Sequence, residues 1–212
     1  WTAQQSTASF SQRHEHIFAQ LAELLSCESR LSAPRILSFG CSSGYECLDL
    51  QRLCPPALVL GCDVSDKAVM EAKKRCAQSE IIIFSSTPEA VAQNGPYDAI
   101  TAMSVLTRYP AIRDKAAIDG IYSFDKFEQT LGVLVEVLCS RGFLALYNSP
   151  YLFERSRYAR RFRKVLPASG PGNGWIDKYD EHGRQITRVE ARFHDRTFRN
   201  AKEWREAVQD YY

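Results

Sequence analysis

Apolar residues along this chain fall into two alternating rhythms. Short runs of strand length occur at Arg35–Phe39, Ala57–Asp63, Glu80–Ser85, Tyr97–Met103 and Phe143–Tyr147. Between them the apolar positions recur every three or four residues, over 9–25, 46–53, 66–76, 87–93 and 124–138, which is the spacing of a helix with one buried face. The first of these helices carries Phe10, Ile17, Phe18, Leu21, Leu24 and Leu25 on one stripe, and the last is expected to stop at Arg141-Gly142. Strands separated by helical crossovers predict parallel pairing with right-handed connections and helices on both faces of the sheet.

Two stretches break the rhythm. Between Ser104 and Ser123 periodicity fails, and Arg108, Tyr109, Pro110, Arg113, Asp114, Lys115, Asp119 and Tyr122 crowd a loop of a length that is usually functional. Beyond Asn148 the pattern predicts, in order, a surface helix over 154–164, a Gly/Pro-rich loop at 167–174, and a hairpin. The hairpin arms are Trp175–Tyr179 and Gln185–Arg196, its turn uses Gly183, and it is expected at the sheet edge. A terminal helix is expected to open on Asn200 and run through Trp204 and Val208. The five runs and the hairpin together predict a seven-stranded, mostly parallel, doubly wound α/β sheet. The expected organisation is a single domain, with an N-terminal helical segment over 1–33, an α/β core over 34–196 and a terminal helix over 197–212.

Composition agrees with one domain, since 212 residues with 45% hydrophobic content can build one sizeable core. The formal net charge of +2, from 27 basic and 25 acidic residues, gives no overall attraction to nucleic acid or anionic membrane. Any basic patch is local, and the strongest lies at Arg155, Arg157, Arg160, Arg161, Arg163 and Lys164. The seven cysteines include no C-x-x-C pair and suit packed free thiols in a reducing compartment. His14 and His16 lie two apart and point in different directions on a helix, so no metal site is expected. With no signal stretch and no apolar run of membrane-spanning length, a cytoplasmic location is expected. Trp1 in place of Met points to a natural start further upstream.

The candidate chemistry gathers at Arg35-Ile-Leu-Ser-Phe-Gly-Cys-Ser-Ser-Gly-Tyr-Glu46, where a strand runs through a glycine-punctuated turn into a helix. Asp63 ends the next strand and follows Gly40 by about 20 residues, a spacing that suits a carboxylate accepting from ribose hydroxyls. With the open loop after the fourth strand, these features share the carboxyl edge of one sheet, where doubly wound folds bind ligands. A dinucleotide site would present a third glycine to the pyrophosphate, whereas Glu46 here stands close to that position. A ligand without phosphate fits better.

On Ser38, Gly40, Cys41, Gly44 and Glu46 the chain resembles the class I, Rossmann-like S-adenosylmethionine (SAM)-dependent methyltransferases, and its first motif is similar to that of the chemotaxis-receptor glutamate methyltransferases. The usual acid stands here as Ser38 and the middle glycine as Ser42. The class I resemblance spans roughly residues 35–195 and implies SAM as cofactor and S-adenosylhomocysteine as product. It further implies cofactor contacts from Ser38, Gly40, Cys41, Ser42, Gly44, Asp63 and Val64, from Thr87 and Pro88 near the adenine, and from Met103 and Ser104 at the adenine and methyl group. The extra N-terminal and docking domains of the receptor enzymes are not evident, which points to a small-molecule acceptor methylated on oxygen or nitrogen by in-line displacement.

Candidate bases for a hydroxyl acceptor are Tyr109 and Asp114 on the loop, Tyr147 and Tyr151 around the fifth strand, and His182 and His194 on the hairpin, with Tyr109 and Tyr147 put forward as catalytic. Asn148-Ser-Pro-Tyr151 resembles the box with which amino-group methyltransferases hold a planar nitrogen, but it follows the fifth strand instead of the fourth. Two alternatives stay open: an RNA or protein substrate docked on the basic 155–164 helix, and a SAM-binding protein without turnover. The sequence leaves the oligomeric state undetermined.

Overall fold

Five of the apolar runs form a single parallel sheet in the order β3-β2-β1-β4-β5. The strands are β1 (Arg35–Phe39), β2 (Leu58–Asp63), β3 (Ile82–Ser85), β4 (Tyr97–Met103) and β5 (Leu138–Tyr147). The helices are α1 (Glu15–Cys27), α2 (Tyr45–Leu53), α3 (Asp66–Arg75), α4 (Pro88–Gln93) and α5 (Phe124–Glu136). The structure, a computed structural model, describes residues 10–28, 32–163, 165, 177–188, 191–193 and 196–198. The expected 167–174 loop, His194 and the helix from Asn200 lie outside the described residues.

Alternation along each strand sends side chains to two separate cores. Ile36, Val59, Ala99 and Met103 bury against Phe18, Leu21 and Leu25 of α1, Leu50 of α2 and Val69 and Ala72 of α3. Leu37, Leu60, Ile100 and Ala102 face the other way, against Val91 of α4 and Phe127, Leu131 and Leu134 of α5. Each fully buried Leu or Phe contributes about 2 kcal/mol of apolar transfer. Three helices begin on a hydroxyl cap, in which Ser65, Thr87 and Ser123 each accept from the backbone N–H three residues on. Helices on β1–β2–β3 crossovers cover one face and those on β3–β4–β5 crossovers the other, so the connections reverse between β1 and β4. That reversal opens a crevice at the carboxyl edge.

Three expectations are corrected. β5 begins at Leu138, ahead of Arg141-Gly142, which sit inside the strand where its register to β4 jumps between the Tyr97 and Ala99 pairings and Arg141 takes a positive φ of 65°. The basic 155–164 segment is not a helix but two 3-10 turns, Phe153–Arg155 and Ala159–Arg161. There the backbone N–H of Arg157 donates to Glu128 Oε1 of α5 at 2.7 Å, which removes it from any helical ladder.

The hairpin does form, as β6 (Asp177–Tyr179) against β7 (Gln185–Arg188), but it does not extend the sheet. Its backbone is drawn to the loop after β4 and to the turn after β5: Gln185 N donates to Ala116 O, Ile118 N to Gly183 O and Tyr179 N to Pro150 O. A second antiparallel pair, β8 (Ala191–Phe193) with β9 (Arg196–Phe198), also stands apart, so the described main sheet has five strands.

Candidate active site

The turn between β1 and α2 is a run of left-handed residues, with φ of 75° at Gly40, 50° at Ser42 and 88° at Gly44. Gly40 is needed for more than its φ, since a Cβ there would lie 2.5 Å from Val105 Cγ2, on the loop that leaves β4. The turn is lashed to the end of β2. Gly40 N and Cys41 N both donate to Cys62 O, at 2.8 and 2.9 Å. On the α3 side, Arg75 Nε donates to Ser43 O at 2.8 Å while its guanidinium stacks 3.7 Å from the Tyr45 ring centroid.

Asp63, at the tip of β2, is buried, and each of its oxygens accepts one backbone N–H. Ser42 N donates to Oδ2 and Ser65 N to Oδ1, both at 2.9 Å. Because a carboxylate oxygen has two lone-pair sites, both can still accept from a ligand's hydroxyls. The two amides fix the carboxylate's plane at the crevice, which suits a vicinal diol. A cofactor of the adenosine type therefore fits these residues, with Asp63 placed to hold its ribose.

Below the turn lies a pair that the spacing of the sequence did not flag. Glu46, in the first turn of α2, is buried; Ser38 Oγ donates to its Oε2 at 3.4 Å, and His14 Nε2 stands 3.7 Å from its Oε1. Burial raises the Glu46 pKa to about 8, with Arg13 and the Ser38 hydrogen bond opposing that rise. Burial likewise lowers His14 to about 4, helped by the charges of Arg13 and His16. At neutral pH the contact therefore joins two largely uncharged groups and is not a salt bridge. The segment before α1 reaches this place because Ser11 Oγ and Gln12 N donate to Asp49 Oδ1 and Oδ2 at 3.1 and 2.6 Å. The signal available in the sequence was Glu46 itself, an acid on the inner face of a glycine-started helix.

The β4 and β5 tips form the other wall. Ser104 and Asn148 both take left-handed φ, 57° and 63°, and Asn148 Nδ2 donates to Ser104 Oγ at 3.0 Å. Ser104 N also donates to Tyr147 O. Two strained non-glycine residues held together at a sheet edge are a common mark of a functional site.

The expected site residues separate into groups. Ser38, Gly40, Cys41, Ser42, Gly44 and Asp63 come together around the turn, linked by the bonds above. Thr87 and Pro88 open α4 on the strand next to Asp63, where Thr87 Oγ1 accepts the capping bond from Ala90 N at 3.1 Å; Val64 is exposed just past Asp63. Met103 is buried on the α1–α3 side. Tyr147 packs at a tilt against the His14 ring, with centroids 4.9 Å apart, whereas Tyr109 is 40% exposed with Arg113 4.8 Å over its ring. Asp114 and His182 are exposed, His182 on the hairpin turn. Tyr151 is buried and its hydroxyl donates to Tyr122 O at 2.5 Å, so the Asn148–Tyr151 tetrapeptide presents no free tyrosine hydroxyl. Among the described residues no cluster of three or more His, Cys, Asp or Glu could hold a metal ion, and no helix is long and apolar enough to cross a membrane.

A crevice at the β1/β4 reversal, with an acid on β2 and a glycine turn on β1, is the arrangement in which Rossmann-like folds take nucleoside ligands. Residues 36–124 match the family model described as a methyltransferase domain, a match that runs from β1 to the start of α5. Over that stretch the chain is similar to methyltransferase domains.

No curated protein sequence matches the chain. Among solved structures it is similar to a provisionally assigned caffeoyl-CoA O-methyltransferase from Staphylococcus aureus, at 15% identity over 66% of this chain and 58% of that one, with a TM-score of 0.45. It is also similar to PKMT2 from Rickettsia typhi in complex with AdoHcy, at 19% identity over 55% and 21% of the two chains and a TM-score of 0.43. Magnesium protoporphyrin IX methyltransferase from Synechocystis PCC 6803 with bound SAH matches at 19% identity over 59% and 52%, with a TM-score of 0.41. The chain spans less than two thirds of the length of each of these three proteins.

Proposed function

We propose that this protein transfers the methyl group of SAM to an oxygen or nitrogen of a small-molecule acceptor. The observation that carries the reading is Asp63, a buried carboxylate fixed by two backbone amides at the tip of β2, beside a glycine turn that matches a methyltransferase domain. SAM supplies a methyl group already activated by its sulfonium. What remains for the chain is to hold the cofactor and to set an acceptor atom about 3 Å from that carbon on the line of attack. Ser38, Gly40, Cys41, Ser42 and Gly44 would line the methionine end, with Glu46 behind Ser38. Val64, Thr87, Pro88, Met103 and Ser104 would border the adenosine.

If the acceptor is a hydroxyl, its proton must leave. Tyr147 at the end of β5 and Tyr109 on the loop after β4 are our candidates to take it, because both elements end at the carboxyl edge. A docking role for the basic 155–164 segment is disfavoured, since Arg155, Arg157 and Arg161 pair with Glu181, Glu128 and Glu136. Calorimetric titration with S-adenosylhomocysteine tests the reading. We expect saturable binding that Asp63→Ala weakens at least about 10-fold. Absence of heat and of any thermal shift at millimolar ligand would refute it.

A further inference from the structure

The loop between β4 and α5 holds two hydrogen-bond donors that the protein has buried and left unanswered. Tyr122 is 2% exposed, and its hydroxyl has no hydrogen-bond partner. Arg108 Nε is likewise shielded from solvent and has none. The two are near neighbours electrostatically: burial raises the Tyr122 pKa first, Tyr151 adds to that, and the positive charge of Arg108 opposes it. The hydroxyl thus stays protonated at neutral pH and can donate.

Leaving two such donors unpaired costs stability, and the loop that carries them is held from both sides. Leu106, Ile112 and Ile118 are buried in the core beneath it. The hairpin clamps it from outside, with Tyr179 Oη donating to Lys115 O at 2.8 Å and Gln185 N to Ala116 O at 2.9 Å. Asp180, on the hairpin, is engaged by Arg184 and by the amides of His182 and Arg184. The loop leaves β4 at the edge where this fold takes its ligands, one residue past the strained Ser104 and across Gly40 from the turn. The Nε edge of a guanidinium carries two parallel donors, the geometry that matches a planar carboxylate, and no protein acceptor takes the Nε of Arg108.

We propose that Arg108 and Tyr122 form a subsite that holds a carboxylate group of the methyl acceptor. The acceptor is then a small carboxylic acid, bound through its carboxylate while a different atom faces the methyl group. This inference rests on the small-molecule methyltransferase reading above.

The test uses the full chain, with benzoate as probe and benzamide as its neutral isostere, in thermal-shift and calorimetric titrations with and without saturating S-adenosylhomocysteine. Benzoate is expected to stabilise the protein where benzamide does not. Arg108→Gln should weaken benzoate at least about 10-fold, and the volume-conserving Tyr122→Phe by several-fold, with S-adenosylhomocysteine affinity unchanged in both. Equal responses to benzoate and benzamide, or a benzoate response that survives Arg108→Gln, would overturn the subsite. So would silence from both probes, which would mean water answers the two donors. An inorganic phosphate arm separates anion types: phosphate binding without benzoate binding also overturns the carboxylate assignment. Failure of S-adenosylhomocysteine to bind would instead strike the parent reading, and the benzoate arm without it can still be read.

Discussion

The two walls of the crevice are finished to different degrees. On the β1/β2 side the polar groups of the turn and of Asp63 have internal partners, although His14 Nε2 beneath the turn is buried without one: the turn amides go to Cys62 O, both Asp63 oxygens accept amides, and Arg75 holds Ser43 O. On the β4/β5 side the backbone is strained at Ser104 and Asn148, and Arg108 Nε and the Tyr122 hydroxyl are buried without partners. A turn whose own groups are paired suits a ligand of fixed shape that every turnover shares. A wall with unanswered donors is completed by the ligand it selects. On the function proposed above, cofactor and acceptor divide along that line, so damage to the first wall should abolish binding generally, and damage to the second should change selectivity.

The largest effect should come from Gly61 in β2. A Cβ there would meet Cys47 Sγ at 2.5 Å, Ile83 Cδ1 at 2.8 Å and Cys41 Sγ at 3.0 Å, atoms wedged between sheet and turn. Gly61→Ala is expected to cost about 3 kcal/mol through overpacking, read as a lower denaturation midpoint with loss of S-adenosylhomocysteine binding. A stability within about 0.5 kcal/mol of the parent would mean that the first wall is looser than described. Next in size is Asp63→Ala, which removes a ligand contact and leaves two amides to find water. Its 10-fold or greater loss of affinity should appear with the fold intact by circular dichroism.

Gly183→Ala acts on the second wall. Gly183 has φ of 71°, and a Cβ would approach Asp119 N to 2.6 Å, so the substitution pushes the hairpin from the loop. We expect a local loss of about 1–2 kcal/mol, with faster amide exchange at Ile118 and Gln185 and unchanged S-adenosylhomocysteine affinity. Equal damage to cofactor binding would erase the distinction between the walls.

How much of this was readable beforehand depended on whether a feature is local. β1, β2 and β4 and the turn at 40–44 lie where apolar runs and glycines put them, because a buried strand and a left-handed turn constrain their own residues. The 155–164 stretch misled for the opposite reason. Its helical spacing is real, but Arg157 and Tyr158 answer to α5, through Glu128 and through the Tyr158 hydroxyl, which would lie 2.6 Å from a Cβ at Gly132. The hairpin was visible as a hairpin, while its address was not, since its partners in docking are backbone groups of the loop and of the turn after β5, which carry no sequence signature. His14 and Glu46 were equally hidden, because their meeting depends on Asp49 capturing the amide of Gln12.

That buried pair provides the sharpest test of the first wall. Glu46 binds its proton more tightly in the folded state, up to about 8 against an ordinary value of 4.5, so it contributes stability at low pH that is lost as pH rises between those values. His14 binds its proton less tightly when folded, at about 4 against 6.5, so its contribution is full above 6.5 and is lost as pH falls toward 4. The two slopes oppose each other between 4.5 and 6.5 and nearly cancel there. Above that window Glu46 acts alone, and stability should fall toward pH 8 by at most about 1.4 kcal/mol per pH unit. Glu46→Gln keeps the size and a hydrogen-bonding group but cannot ionise, so its denaturation midpoint should be flat from pH 6.5 to 8 and should fall only on the acid side, where His14 charges. A parent protein equally stable at pH 6.5 and 8, or a Glu46→Gln variant that keeps the alkaline decline, would show that the carboxyl beneath Ser38 is ionised and solvated, and that the first wall is open to water where the structure has it closed.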